Sequence, residues 1–417
     1  MVDLDRWLEI WSTLKANRLR TVLTALGVWW GIFMLVVMVA FGSSLRAGVS
    51  RNFAGLATNS VFVWGQRTSM PYGGLQPGRH VEYDTADIAA LRRIEGIQYL
   101  APRNQLGGFR GGFNVTYGTK TGNFGVMADY PEVQYVQTPL VLAGRFLDDG
   151  DLDERRKVAI IGKGVYEQLY APGAEAIGTY IKISGVYFQV IGVTGSLRTG
   201  GEGDRDLNMI TIPFTTFQQA FHAGDRVGWF AIVAKPEYGA AKIEAEVRRV
   251  LAERHKIAPD DDQAIGSFNA EKEFGKIQTV FWAIDIVLWI VGVMTLLAGM
   301  IGVSNIMLIS VKERTKEIGL RKALGATPWS IVAMIVSETV ALTTVAGYLG
   351  VVGGVAAVEG LGWLIAHMPD SPLGPPQIGL STAWQATGLL VVAGLIAGLM
   401  PAAHAASIQP VEALRAE

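Results

Sequence analysis

Four long stretches of the chain are mainly apolar and contain no charged side chain. They cover residues 21–41, 286–311, 339–358 and 381–403, and the third continues as a mainly apolar stretch over residues 331–365. A helix of ~20 apolar residues crosses the ~30 Å hydrocarbon core of a bilayer. The pattern therefore predicts four transmembrane helices.

The residues before the first apolar stretch form an amphipathic pattern. Leu4, Trp7, Leu8, Trp11 and Leu14 share one face of a helix. Tryptophan on such a helix favours the headgroup level of a membrane, which predicts an interfacial helix; a helix docked on protein would show the same pattern. A signal peptide is the alternative for the first apolar stretch, but the acidic and basic residues mixed in this segment favour an uncleaved helix.

Basic residues flank the apolar stretches unevenly. Residues 1–20 and 312–327 are rich in lysine and arginine, whereas residues 366–380 contain neither. Lysine and arginine favour the cytoplasmic side of a membrane. Both termini and the segment 312–327 are therefore predicted to be cytoplasmic, and the long segment between the first two helices is predicted to lie outside.

That long segment has the pattern of a folded α/β domain. Residues 60–64 and 181–193 are rich in β-branched and aromatic side chains, as strands are. Asp84 is a predicted helix N-cap, and residues 240–255 repeat apolar side chains at helical spacing. The predicted fold is a membrane protein with four transmembrane α-helices and a large extracytoplasmic mixed α/β domain inserted between helices 1 and 2.

These patterns divide the chain into segments with different predicted locations. In chain order they are a cytoplasmic interfacial amphipathic helix (1–20), a first transmembrane helix (21–45), an extracytoplasmic core domain (46–276), a second transmembrane helix (277–311), a cytoplasmic elbow (312–327), a third transmembrane helix (328–365), a short outer loop (366–380), a fourth transmembrane helix (381–403) and a cytoplasmic tail (404–417).

Composition and motifs give no sign of catalysis. A net charge of -1 over 417 residues gives no reason to expect a nucleic acid partner, and the absence of cysteine excludes disulfides and thiolate sites. The phosphate-binding pattern G-x-x-x-x-G-K-[ST] does not occur, no histidine pair has metalloprotease spacing, and no G-x-S-x-G elbow is present. The acidic residues 148–154 lack the glycine and closing glutamate of a calcium loop. We expect no catalytic, cofactor or metal site.

The charged segment between the second and third apolar stretches has its own helical punctuation. Glu317 and Arg321 are four residues apart in the favourable order. Gly319 is predicted to interrupt the helix, Gly325 to end it, and Thr327 with the following proline to start the next one. A basic loop that only sets the topology is the alternative, but a bare connector needs far fewer residues. The pattern favours a helical elbow that docks on a partner.

Polar and small residues inside the apolar stretches also need an explanation. Glu338 lies within the third stretch, where a charge is costly, and is predicted to face Asn305 or a partner subunit. Structural pairing is the favoured role, and a proton relay is the alternative. Gly27 and Gly31 have the spacing at which two helix backbones approach closely, and we predict that they contact a second subunit.

The segment NIMLISVKERTKEIGLRKALGA (305–326) resembles the signature of MacB-type permeases in the FtsX-like ABC transporter superfamily. NRLRTVLTALGVWWGIFMLV (17–36) resembles the first span of that family, residues 144–193 resemble its periplasmic core domain, and residues 401–417 resemble its tail. The resemblance implies a protein of the bacterial cytoplasmic membrane with a periplasmic domain. It also implies an acidic counterpart to Glu338 in the family.

The same resemblance implies a mechanism and partners. Such permeases dimerise, as two copies or with a sister permease, and work with an adaptor in the periplasm. A short cytoplasmic helix docks on an ABC ATPase, here expected as a separate chain that binds the ATP, and the movement reaches the periplasmic domain through long helices. The residues expected to couple to the ATPase are Glu313, Arg314, Glu317, Ile318, Leu320, Arg321, Lys322, Leu324 and Gly325.

Other functions remain compatible with the same plan. A lipoprotein-releasing permease shares the four spans, although residues 313–326 are closer to the MacB-type pattern. An FtsX-like regulator of cell-wall hydrolases usually has a much smaller outer domain. A membrane-anchored enzyme is disfavoured because no site marks it. Export by a MacB-type permease is the predicted function.

Overall fold

The computed structural model describes residues 18–107, 112–368, 371, 373–376 and 380–409. The predicted interfacial helix lies almost wholly outside these residues, as does most of the predicted tail. The chain divides into two compact units, a helical unit that contains residues up to Val49 and from Val280 onward, and an α/β unit, Ser50–Thr279.

Helices account for nearly all of the helical unit and alternate with strands in the α/β unit. The helices are α1 (Arg18–Arg51), α2 (Thr85–Leu91), α3 (Val133–Val136), α4 (Asp149–Asp153), α5 (Lys163–Leu169), α6 (Gly201–Leu207), α7 (Phe214–Ala220), α8 (Ala240–His255), α9 (Ala270–Glu313), α10 (Thr315–Ala323), α11 (Pro328–Ala366) and α12 (Leu380–Ser407). The strands are β1 (Ser60–Gly65), β2 (Tyr83–Asp84), β3 (Ile97–Gln105), β4 (Phe113–Tyr117), β5 (Lys120–Asp129), β6 (Leu140–Gly144), β7 (Val158–Gly162), β8 (Tyr180–Ile183), β9 (Val186–Gly195), β10 (Met209–Pro213), β11 (Arg226–Val227), β12 (Trp229–Ala234) and β13 (Ile265–Asn269).

Three helices in the described part of the chain are long and apolar enough to cross a membrane. Their spanning stretches are Ala25–Arg51, Ala270–Glu313 and Pro328–Ala366, which contain most or all of the first three predicted spans. Helix α12 covers the fourth predicted span, and its described apolar part, Val391–Ser407, is shorter. The structure therefore gives a membrane protein with three candidate spans.

Glycine lets the long helices pack closely within one chain. A Cβ at Gly31 would lie 3.2 Å from Leu296 Cα on α9, and a Cβ at Gly27 would lie 3.7 Å from Gly299 Cα. Gly350 of α11 packs in the same way on α1. The Gly27/Gly31 face, predicted to meet a second subunit, is therefore in contact with α9 of its own chain, because neither glycine has a side chain to hold the α9 backbone away.

The α/β unit is built on one large mixed sheet. Its order is β10-β7-β9-β8-β4-β5-β3-β12-β1-β13, with β6 beside β9. Strand β10 also pairs with β5 in parallel, so β10, β7, β9, β8, β4 and β5 close into a ring. Strands β3, β12, β1 and β13 extend this ring as an antiparallel sheet.

Alternation along β1 and β12 gives the open part of the sheet two different faces. Val61 and Val63, with Phe230 and Ile232, are fully buried in the main core of the α/β unit. The predicted helix at 240–255 is confirmed as α8, and its apolar face joins the same core. The side chains at alternate positions, such as Trp64 and Trp229, lie on the other face and are half-buried.

Carboxylates of the α/β unit serve as helix caps and as buried ion-pair partners. Asp84 caps α2 as predicted, and Asp87 completes this capping box. Asp87 is fully buried, with Arg254 Nε at 2.6 Å and His255 Nε2 at 2.9 Å. Burial alone would raise the pKa of Asp87, but the hydrogen bonds from His255 and Arg254 outweigh it and hold the pKa below its ordinary value.

The acidic segment 148–154 forms the short helix α4. Asp148 caps this helix, and the buried Asp151 accepts hydrogen bonds from Arg145 at 2.6 Å and from Arg156 at 3.4 Å. These carboxylates are therefore engaged in a cap and in ion pairs, and not in a calcium-loop geometry.

Candidate functional site

The elbow begins where α9 ends. Helix α9 ends at Glu313, and α10 begins at Thr315, with Arg314 between them at φ -100° and ψ 17°. The sequence placed this interruption at Gly319, which was wrong, because Gly319 is buried inside α10. The ~1 kcal/mol that glycine costs in a helix does not break α10, since tertiary contacts decide where a short helix ends.

Arg314 links the start of the elbow to the buried acid of α11. Its Nη1 lies 3.5 Å from Glu338 Oε2, and Glu338 is only 6% exposed. The sequence predicted Asn305 or a partner subunit as the neighbour of Glu338, whereas Asn305 is exposed in the structure. The charge of Glu338 is thus paired within its own chain, as a buried carboxylate requires.

Two residues on the inner face of α10 fasten the elbow to the rest of the helical unit. Ile318 is 1% exposed and belongs to the helical core. Lys322 Nζ donates to the carbonyl oxygens of Ala406 at 2.6 Å and Ile408 at 2.7 Å, at the C-terminal end of α12. A cation there satisfies carbonyls that have no partner inside the helix. Ile318 and Lys322, predicted to meet the ATPase, therefore face their own chain.

The far end of the elbow has the predicted caps. Gly325 has φ +99°, and the amides of Gly325 and Ala326 donate to the carbonyls of Lys322 at 3.1 Å and Arg321 at 3.0 Å. This is a Schellman termination, which favours glycine at the left-handed position. Thr327 then caps α11 by accepting a hydrogen bond from the amide of Ser330, with proline as the first helical residue.

The outer face of the elbow exposes large apolar side chains. Leu324 is 80% exposed, Trp329 is 79% exposed, and Leu320 is 52% exposed. Leu320 lies in α10 and Leu324 is its C-cap residue, four positions further on, which places the two on the same side. We call these three residues the elbow face. Sequence reasoning missed Trp329, although a tryptophan directly after an N-terminal proline at a membrane boundary was a usable signal.

The elbow also carries exposed charged side chains. Arg321 Nη2 lies 2.9 Å from Glu317 Oε1, the predicted pair, and Arg321 also reaches Met334 on α11. Lys312 and Glu313 are exposed. An apolar patch with charges at its rim is the usual anatomy of a protein interface.

The described residues contain no cluster of three or more histidine, aspartate or glutamate side chains placed to hold a metal ion. One face of the elbow is thus fixed inside the chain, and the other exposes apolar and charged side chains.

Comparison with known families agrees with this geometry. Residues 21–250 match the MacB-like periplasmic core domain, and residues 289–410 match the FtsX-like permease C-terminal domain. The chain is a MacB-type permease of the FtsX-like superfamily. It is therefore a membrane permease of the MacB-like ABC transporter family with a periplasmic domain, and the matched residues 21–250 include most of the α/β unit.

Individual relatives carry the same family name or an export name. The chain is 29% identical over 407 residues to "Pyoverdine export ATP-binding/permease protein PvdT" of Pseudomonas entomophila, covering 98% of this chain and 59% of that protein. It is 28% identical over 416 residues to "Macrolide export ATP-binding/permease protein MacB" of Bdellovibrio bacteriovorus, covering 97% and 61%. The chain thus spans about three fifths of the length of these relatives.

One solved structure with a detectable likeness is the periplasmic region of MacB from Actinobacillus actinomycetemcomitans. The identity is 17% and the TM-score is 0.44, over 54% of this chain and 96% of that one.

Proposed function

We propose that this permease couples ATP hydrolysis by a separate ABC ATPase subunit to the export of a substrate from the periplasm. It lies in the bacterial cytoplasmic membrane with four transmembrane helices, α12 being the fourth, and with both termini in the cytoplasm. It acts as a dimer with a second copy or a sister permease, and with an adaptor in the periplasm. The export names of its relatives support this class of function.

The single observation that carries the proposal is the exposure of Leu324 on a helix that is otherwise fastened to its own chain. A leucine that is 80% exposed is an anchor of the kind that fills a pocket on a partner. The buried Ile318 and the bonds of Lys322 hold α10 in place. A partner that moves α10 therefore moves the helices to which it is fastened.

Two side-chain contacts and one long helix provide routes for this movement. Lys322 connects α10 to α12, and Arg314 connects the start of the elbow to Glu338 on α11. Helix α9 has 44 residues and starts directly after β13 of the α/β unit. At 1.5 Å per residue it is about 66 Å long, which exceeds the membrane core, so it can carry movement beyond both membrane surfaces.

ATP is proposed to bind the partner and not this sequence, because the phosphate-binding loop does not occur in it. The test is hydrolysis by the purified chain in lipid nanodiscs, with and without a purified ABC ATPase subunit from the same organism. We expect no hydrolysis by the chain alone and a stable, active complex with the ATPase. Hydrolysis by the pure chain, or failure of the two proteins to associate, would overturn the proposal.

A further inference from the structure

A large cavity lies within the α/β unit, on the half-buried face of the sheet. Its volume is about 1810 Å³, whereas pockets for drug-sized molecules are usually ~300–1,000 Å³. Its lining includes residues of β1, β12 and β13, and also residues of β10 and of the segment that follows β9. The cavity is large enough for a ligand well above the size of a metabolite.

Four aromatic side chains form the floor of this cavity. Phe62 and Trp64 of β1, Trp229 of β12 and Phe268 of β13 all line it and are half-buried. Trp64 lies opposite Trp229 in the strand pairing, and Phe62 lies opposite Phe268 with 6.1 Å between ring centroids. Half-buried rings on one surface offer π-faces on which a flat ligand can stack.

The residue opposite Trp64 on β13 is Gly266, and this glycine makes room for the ring. A Cβ at Gly266 would collide with the indole of Trp64. Glycine weakens a strand interior and often marks a site where another group approaches closely. Strand β13 thus has a residue that weakens the strand at this position, and the missing side chain leaves room for the Trp64 ring above Gly266.

A buried ion pair fixes the position of Trp229. Arg103 donates to both oxygens of Asp129, at 2.6 Å and 3.0 Å, and to Gln137 Oε1 at 2.7 Å. Its guanidinium carbon lies 5.7 Å from the centre of the Trp229 ring, within the range of a cation–π contact. Because Arg103 is held by three hydrogen bonds, it gives the indole a fixed cation to pack against.

The walls of the cavity are polar and nearly balanced in charge. The described residues that line it include four arginines and three carboxylates, together with amide and hydroxyl side chains, and Arg226 pairs with Glu82 just outside the lining at 3.2 Å. Such walls suit the hydrogen-bonding groups of an amphipathic molecule, and they disfavour a cationic one because their carboxylates are already paired with arginine.

We propose that this cavity binds the exported molecule, and that its ligands are large amphipathic compounds with a flat aromatic or conjugated ring and no net positive charge. The ring stacks on Trp229 and Trp64, and the polar groups meet the walls. This inference rests on the proposed export function for the role of the ligand as cargo. The binding step itself needs no ATPase.

The test is binding of sulforhodamine B, a water-soluble dye with a flat conjugated ring and one net negative charge. Its fluorescence anisotropy is measured against the full chain in lipid nanodiscs, with empty nanodiscs as the blank. We expect saturable binding to the wild type and a loss of affinity of about tenfold or more in Trp229→Ala, since stacking on an aromatic side chain is worth ~1–3 kcal/mol. Trp229→Phe, which keeps a ring, should retain most of the affinity.

Tyr187→Ala is the matched control, because Tyr187 has Lys182 Nζ 5.5 Å from its ring centre but does not line the cavity. Its affinity should stay within twofold of the wild type. A second test keeps the fold constant: Thr211→Cys puts the only cysteine of the chain on the cavity wall, and labelling it with a bulky maleimide should abolish dye binding. The same label on Tyr187→Cys should leave binding intact.

The proposal is overturned if the wild type shows no saturable binding, or if both labelled variants bind the dye equally well. Binding of the dye without association of the ATPase would contradict the proposed function and leave the cavity assignment standing. Association of the ATPase without dye binding would contradict the cavity assignment and leave the proposed function standing.

Discussion

Replacing Leu324 by alanine should weaken the binding of the ATPase without unfolding the permease. Leu324 is 80% exposed, so its removal takes little packing from the chain itself. Full burial of a leucine side chain is worth ~1.5–3 kcal/mol. Docking can bury at most the exposed share of Leu324, which gives ~1.2–2.4 kcal/mol, or a loss of affinity of roughly tenfold to fiftyfold.

The assay is a titration of the permease in lipid nanodiscs with fluorescently labelled ATPase, read as Kd. Leu349→Ala is the matched control, because Leu349 is a leucine that is 54% exposed on α11, inside the stretch Pro328–Ala366 that can cross the membrane. We expect its Kd to equal that of the wild type. An unchanged Kd for Leu324→Ala, or an equal loss for Leu349→Ala, would refute the assignment of the elbow face.

The variant Ile318→Ala separates docking from folding. Ile318 is 1% exposed in the helical core, so its truncation should cost about 2–5 kcal/mol of stability. Its thermal unfolding temperature should fall, whereas that of Leu324→Ala should not. The reverse result would mean that the two faces of α10 are assigned the wrong way round.

Further predictions concern the ion pairs and the topology. Arg314→Gln and Glu338→Gln should each lower the unfolding temperature. The double variant should lose about 1 kcal/mol less free energy of unfolding than the two single variants together, and strictly additive losses would mean that the 3.5 Å pair contributes nothing. Because the pKa of Asp87 is depressed, its stabilising contribution is present above the ordinary carboxyl range and is lost as pH falls through the lowered pKa. In Asp87→Asn the unfolding temperature should therefore fall less steeply with decreasing pH than in the wild type. An unchanged slope in acid would count against this. An alkaline phosphatase fusion near Gly200 should be active and one near Lys316 inactive, and the opposite pattern would invert the proposed orientation.

Local signals in the sequence predicted much of the secondary structure. Residues 240–255 form α8 as expected, because their apolar side chains repeat at helical spacing and the helix has no competing strand pattern. Asp84, Gly325 and Thr327 take their expected capping positions, since each acts through hydrogen bonds to amides or carbonyls only a few residues away. Helix periodicity and helix caps depend on residues that are close together in the chain, and these features could therefore be predicted from the sequence.

Features decided by distant partners could not be predicted in the same way. The helix break falls at Arg314 because this residue meets Glu338, which is 24 residues further along the chain. Ile318 looks like a docking residue until the core that buries it is known. The Gly27/Gly31 face could meet any helix with small residues, and only the fold shows that α9 covers it.

The cavity was beyond sequence reasoning for a related reason. Trp64, Trp229 and Phe268 come from three strands that lie far apart in the chain and pair side by side in the sheet. Alternation predicts which side of its own strand each ring occupies, but not which strands are neighbours. The strand order also includes the parallel pairing of β5 with β10, which no local pattern marks.

The central claim is that the elbow face receives an ABC ATPase, and site-directed cross-linking in cells tests it most directly. The chain has no cysteine, so Leu324→Cys provides a single attachment site for a photoreactive maleimide. The account predicts a cross-linked product in which mass spectrometry identifies an ABC ATPase, and predicts no such product from the same label on Leu349→Cys. An ATPase product from both positions, or a Leu324→Cys product that contains only lipid or a periplasmic protein, would contradict it.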